Sequence, residues 1–109
     1  MDHIRNIEIV QTIVQQMGGC GKLKAMVGAN NFTYGAIDNE GYSKPYVQFK
    51  FKMNPKLKSC RVIYDEGRDL YIMQFLGRTG KIHKELNEVY CDELISKFET
   101  TTGLLLRLF

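Results

Sequence analysis

Tyr46-Val47-Gln48-Phe49-Lys50-Phe51-Lys52-Met53 alternates without a break. Val47, Phe49, Phe51 and Met53 fall on one side of an extended chain. Tyr46, Gln48, Lys50 and Lys52 fall on the other, the period of a strand with one buried and one wet face. Asn54-Pro55 ends the run, because proline has no N–H to give to a ladder. Ser59 to Asp65 repeats the pattern with Cys60, Val62 and Tyr64 on one side. Glu66-Gly67-Arg68 reads as a short hairpin connection to its partner, Leu70 to Leu76, which Gly77-Arg78-Thr79-Gly80 closes. Upstream, Phe32 to Ile37 is a short strand ended by the turn signal Asp38-Asn39-Glu40-Gly41. Connections this short make neighbouring antiparallel pairing the expectation.

The flanks are helical. Over residues 4–17, Ile7, Val10, Ile13, Val14 and Met17 recur at three- and four-residue spacing, and Gly18-Gly19 stops the helix by accepting a left-handed C-cap. Leu23, Met26 and Val27 keep a helical spacing, which allows a short second helix or turn before Ala29-Asn30-Asn31. Residues 77–86 read as a polar loop, Asn87 as an N-cap, and residues 88–101 as a helix carrying Tyr90, Leu94 and Phe98, with Cys91 and Ile95 beside them. Gly103 caps it. The expectation is one α+β domain over residues 1–109: an N-terminal helix, a three- to four-stranded antiparallel sheet and a C-terminal helix. Both helices pack on one face, in two layers. The apolar end, Leu104 to Phe109, either docks on the core or forms a self-association surface. That makes Leu105, Leu106, Leu108 and Phe109 candidates for partner contact or oligomerisation.

The chain has 109 residues, 44% hydrophobic and 25% charged, the balance of a globular domain rather than a disordered one. No apolar run nears the roughly 20 residues of a membrane helix, so no membrane role is expected. Met1-Asp2-His3-Ile4-Arg5-Asn6 lacks a basic region followed by an apolar core, so no secretory signal is visible, and the cytoplasmic expectation rests on the cysteines. Cys20, Cys60 and Cys91 are odd in number and widely spaced, the usage of free thiols in a reducing compartment. The net charge of +3 is unevenly spread: residues 1–43 carry −1, residues 44–84 carry +7 and residues 85–109 carry −3. The middle third can therefore attract a polyanion or an acidic protein face.

Catalytic chemistry finds little footing. Gly18-Gly19-Cys20-Gly21-Lys22 lacks the preceding strand, the glycine spacing and the Ser or Thr of a phosphate loop, and a helix cap explains its glycines. His3 and His83 are the only histidines, and only Cys91, eight residues on, lies near His83 in sequence. No metal-ligand spacing and no calcium loop is present, so neither metal nor cofactor is expected, and a non-enzymatic role is. The strongest candidate surface is Tyr46, Lys50, Lys52, Lys56, Lys58 and Arg61, where an aromatic ring could stack on a base and lysines could hold phosphates or an acidic partner.

Three stretches resemble a family of small, uncharacterised bacteriophage and prophage proteins. Gly18-Gly19, Leu23 to Met26 and Gly28-Ala29-Asn30-Asn31-Phe32 are similar to a G-G-x-x-x-F-x-x-M-T-G-A-K-x-F run. Leu23, Val27 and Asn30 depart from it. Leu70 to Phe75 is similar to that family's D-x-Y-x-x-x-F strand. Tyr90, Leu94, Phe98 and Thr102-Gly103-Leu104 resemble its closing Y-x-x-x-L-x-x-x-F-x-x-x-T-G-L. The resemblance implies a viral or mobile-element source, a host-cytoplasm location and no catalytic residues. By analogy with small phage proteins, it implies binding to a host or phage protein, including inhibition of host machinery or defence. A nucleic-acid binder using the basic central sheet is the alternative, and a homo-oligomer built through the C-terminal tail is a third expectation.

Overall fold

The computed structural model describes residues 3–39, 42–52 and 54–104. Helix α1 (His3–Gln16) ends at the two glycines, where Gly18 and Gly19 take φ of 105° and 92°. Their N–H groups donate to the Gln15 and Val14 carbonyls, so the last turn of α1 is satisfied without side chains. Helix α2 (Cys20–Val27) follows at once and is capped by Gly28 at φ 66°. The glycine run is thus a joint between two helices.

Five strands come next: β1 (Asn30–Asn39), β2 (Tyr42–Lys50), β3 (Ser59–Asp65), β4 (Leu70–Leu76) and β5 (Ile82–Val89). They lie side by side in chain order, each antiparallel to the next. The β3–β4 hairpin has the expected limits. Pro45 lies just outside the β2–β3 ladder, which begins at Tyr46 opposite Ile63, so its missing N–H costs that ladder nothing. The β1–β2 connection narrows to Glu40 and Gly41, outside the described residues, because Asp38 and Asn39 pair with Ser43 and Tyr42.

Alternation then decides which side chains meet the helices. Val47 and Phe49 of β2, Cys60 and Val62 of β3, and Tyr71, Met73 and Phe75 of β4 point to one face. They share a core with Val10, Ile13 and Met17 of α1, Leu23 and Val27 of α2, and Leu94 and Phe98 of helix α3 (Leu94–Thr102). Phe98 is the hub: its ring lies 6.1 Å from Phe49, 5.3 Å from Phe51 and 6.1 Å from Phe75. Asn54 ties the far end of α3 down. Its Nδ2 donates to the Thr102 carbonyl at 2.8 Å, while its Oδ1 accepts from the Lys56 and Leu57 N–H groups.

The α+β architecture agrees with the sequence reading, but among the described residues the sheet has five strands and the helices number three. The largest correction concerns residues 77–101. The expected polar loop over 77–86 is a five-residue connection, 77–81, followed by β5, and the last helix starts at Leu94 rather than 88. The reason is that β5 is an edge strand whose His83, Lys84, Glu85, Asn87 and Glu88 are all exposed, so it carries no apolar alternation. Charge of that kind is also what keeps an edge from pairing with another chain. Register shifts opposite Tyr71–Met73 and Phe75–Leu76 break its period further. Asn87 caps nothing. A 3-10 turn, Cys91–Glu93, leads into α3, and the Glu93 carboxylate accepts the Tyr90 N–H at 3.0 Å.

Candidate functional site

The helix-free face of the sheet is crossed by one chain of polar side chains. Arg61, on the central strand, donates from Nε to Gln48 Oε1 at 2.8 Å and from Nη1 to Gln74 Oε1 at 3.2 Å. Gln74 in turn donates to Glu85 Oε1 at 2.8 Å. The Arg61 guanidinium also lies 5.3 Å from the centre of the Tyr46 ring. On its other side Tyr46 rests against Gly35, directly opposite in register, where a Cβ would come within 3.0 Å of the Tyr46 hydroxyl. All five strands are thereby bridged. The Tyr46 ring is held between a guanidinium and a glycine backbone, and the Arg61 fork is committed to two amides.

This bears on each of the six residues singled out from sequence. Tyr46, Lys50 and Arg61 do share the helix-free face. Lys52 leaves it: its N–H donates to the Val27 carbonyl and its stem covers Gly28 at the end of α2. There its charge suits the negative end of a helix. Lys58 donates from Nζ to the Asn54 carbonyl at 2.8 Å. Lys50 and Lys56 stay exposed. Leu105, Leu106, Leu108 and Phe109 lie outside the described residues, while Leu104 is half-buried against the core.

Charge is sorted by the ends of the sheet rather than by one strand. Residues 50–64 and 70–84 contain no Asp or Glu. The antiparallel order brings the β2–β3 and β4–β5 connections to one end, with Lys50, Lys52, Lys56, Lys58, Arg78, Lys81 and Lys84. Asp65, Glu66 and Asp69 sit at the opposite end, where Lys44 pairs with Asp65 at 3.8 Å and Arg68 with Glu88 at 2.7 Å. At the basic end a cleft of about 550 Å³ opens between residues 54–57, β5 and α3. Lys56, Lys84 and Lys97 line it with His83, over Leu57 and Leu86, and no carboxylate does. Among the described residues these three lysines have no ion-pair partner. Sequence reasoning missed Lys84, Lys97 and His83 because only the β5 fold-back puts them beside Lys56.

A second concavity, about 310 Å³, runs between α1 and β1. Val10, Val14, Phe32, Tyr34 and Val47 line it, with Gln11 and Gln15 at the rim and no charged residue. Strand β1 is the outer strand here, and Tyr34 is 49% exposed. At the acidic end, Tyr64 donates to Asp69 Oδ1 at 2.8 Å, and this bond, with some burial, pushes its pKa up to about 12. Tyr71, raised mainly by burial, donates to Gln16 Oε1 at 2.8 Å.

The thiols and histidine stay apart. Burial lifts the Cys60 thiol far above its ordinary range, so it stays protonated and unreactive. Cys91 is exposed, but the length of β5 separates it from His83, roughly 20 Å at strand rise. Among the described residues no group of His, Cys, Asp and Glu is placed to hold a metal, and no helix is long and apolar enough to cross a membrane. None of the protein-family models, curated proteins or solved structures compared with this chain matches it.

Proposed function

We propose that this protein is a non-enzymatic binding module that takes an extended segment of a protein partner along β1. The observation that carries the reading is the character of that edge. Residues 30–37 hold no charge, no proline and no lysine, in a ten-residue outer strand beside an apolar groove. Edges of this length are normally blunted along their length by charge, as β5 is; β1 has a register shift only near its start, between Asn30 and Thr33, and its one charge, Asp38, only near its end. An added strand would take main-chain hydrogen bonds from β1 and place alternate apolar side chains between Val14 and Tyr34. The resemblance to small phage proteins supports a host or phage protein as the partner and the host cytoplasm as the place.

The test is site-specific photo-cross-linking. A benzophenone side chain at Tyr34 should give one dominant protein adduct in host cells, and Ala36→Pro should remove it by blocking the outer edge. The same probe at Ile72, on the helix-free face, should give no such adduct. Equal adducts from both positions, or persistence in the proline variant, would refute strand addition at β1.

A further inference from the structure

We infer that the cleft between residues 54–57, β5 and α3 is a second, separate binding site, and that it takes the phosphate groups of a single-stranded nucleic acid. Three lysines from three parts of the chain, Lys56, Lys84 and Lys97, line one concavity. A lysine cluster normally disperses or pairs with carboxylates, because like charges close together destabilise the fold. Here residues 70–84 supply no carboxylate at all, and the nearest one along the strand, Glu85, is held by Gln74 on the other face. The repulsion is left for a ligand to relieve. Thr100 and Thr101 of α3 also line it, and Leu57 and Leu86 supply apolar lining against which a sugar or base can lie.

Two arguments select the ligand. Exposed lysine–carboxylate pairs are worth little individually, about 0–1 kcal/mol, so an acidic protein gains little from this cleft. A phosphate polymer gains by releasing condensed counterions at every contact. A duplex is stiff over about 150 base pairs and cannot bend into a pocket, whereas a single strand can. Lys50, Lys81 and Arg78 continue the positive surface along the same end of the sheet and would hold the flanking phosphates.

The experiment is fluorescence anisotropy of a labelled single-stranded oligonucleotide with the full chain, between 50 and 200 mM salt. Three neutralised phosphates give a log–log slope of about −0.7 per contact, hence a loss of roughly 20-fold over that range. The flanking cations would steepen it. Lys84→Gln and Lys97→Gln should each weaken binding and reduce the slope by about 0.7. Lys44→Gln, at the acidic end, should change neither. Lys84 and Lys97 are exposed, so the two cleft variants keep the native circular dichroism and melting temperature; Lys44 is half-buried beside Asp65, and its variant is compared at a salt and temperature where circular dichroism shows it folded. The inference is overturned by absence of binding at 50 mM salt or by unchanged slopes in both cleft variants. It is equally overturned by equal affinity for duplex or by equal competition from polyglutamate. The β1 cross-linking test is independent of all of these.

Discussion

Replacing Phe98 by alanine, alongside Tyr90 by alanine, tests the account of the C-terminal third. Both residues lie on the Tyr90–Leu94–Phe98 stripe that a helix over residues 88–101 would bury together. In the structure Phe98 is 0% exposed and touches three other rings, while Tyr90, before the helix, is 57% exposed. Removing a fully buried phenylalanine costs about 3–5 kcal/mol, from lost transfer energy plus the cavity left behind. With Phe49, Phe51 and Phe75 fixed on the sheet, the site has little room to collapse, so a loss near 4 kcal/mol is expected. Against a total of about 5–15 kcal/mol for a domain of this size, that is a large fraction. It corresponds to a fall in Tm on the order of 15 °C. Tyr90→Ala should cost less than about 1 kcal/mol. Urea unfolding followed by circular dichroism measures both, with the slope expected to stay unchanged. A Phe98 loss below about 1.5 kcal/mol, or a Tyr90 loss equal to it, would refute the packing described.

Three further outcomes are expected. In the native protein iodoacetamide should modify Cys91 and leave Cys60 untouched until the chain unfolds, read by peptide mass spectrometry; native-state labelling of Cys60 would contradict its burial. Because the Tyr64 pKa is raised above its unfolded value near 10, its contribution to stability is complete below that pH and is lost as pH rises toward about 12. Asp69→Asn should lower the Tyr64 titration midpoint in NMR, and an unchanged midpoint would remove Asp69 as the cause. Arg61→Lys keeps the charge but cannot span Gln48 and Gln74, and should destabilise by about 1–2 kcal/mol in urea unfolding.

The β3–β4 hairpin was legible to the residue, because turn chemistry and strict alternation agree there. The first helix and its glycine stop were legible for the same reason, a clear period meeting a clear breaker. Strand β5 was hidden, since a strand with only Leu86 and Val89 turned inward has no pattern to read, and its charges look like loop. Tyr90 then misled: it keeps the helical spacing of Leu94 and Phe98 while lying outside the helix. At the candidate sites, the sequence located the positive third of the chain but not its use. Which cations are spent on Asn54, Gly28 or the two amides depends on partners 4 to about 25 residues away, and side-chain type says nothing of that.

Strand order that follows chain order has a consequence for how the molecule is made. Each hairpin can close as soon as its second strand exists, without waiting for distant chain, which favours rapid folding. The two N-terminal helices have no such advantage. Ile13, Met17, Leu23 and Val27 have nothing to bury against until Val47 and Phe49 have been synthesised, and the hub at Phe98 arrives close to the end. During translation the emerging chain therefore presents a bare apolar helical surface for most of its length. Chaperone occupancy on the nascent chain should fall in two steps, first as the central strands appear and again as the last helix seats.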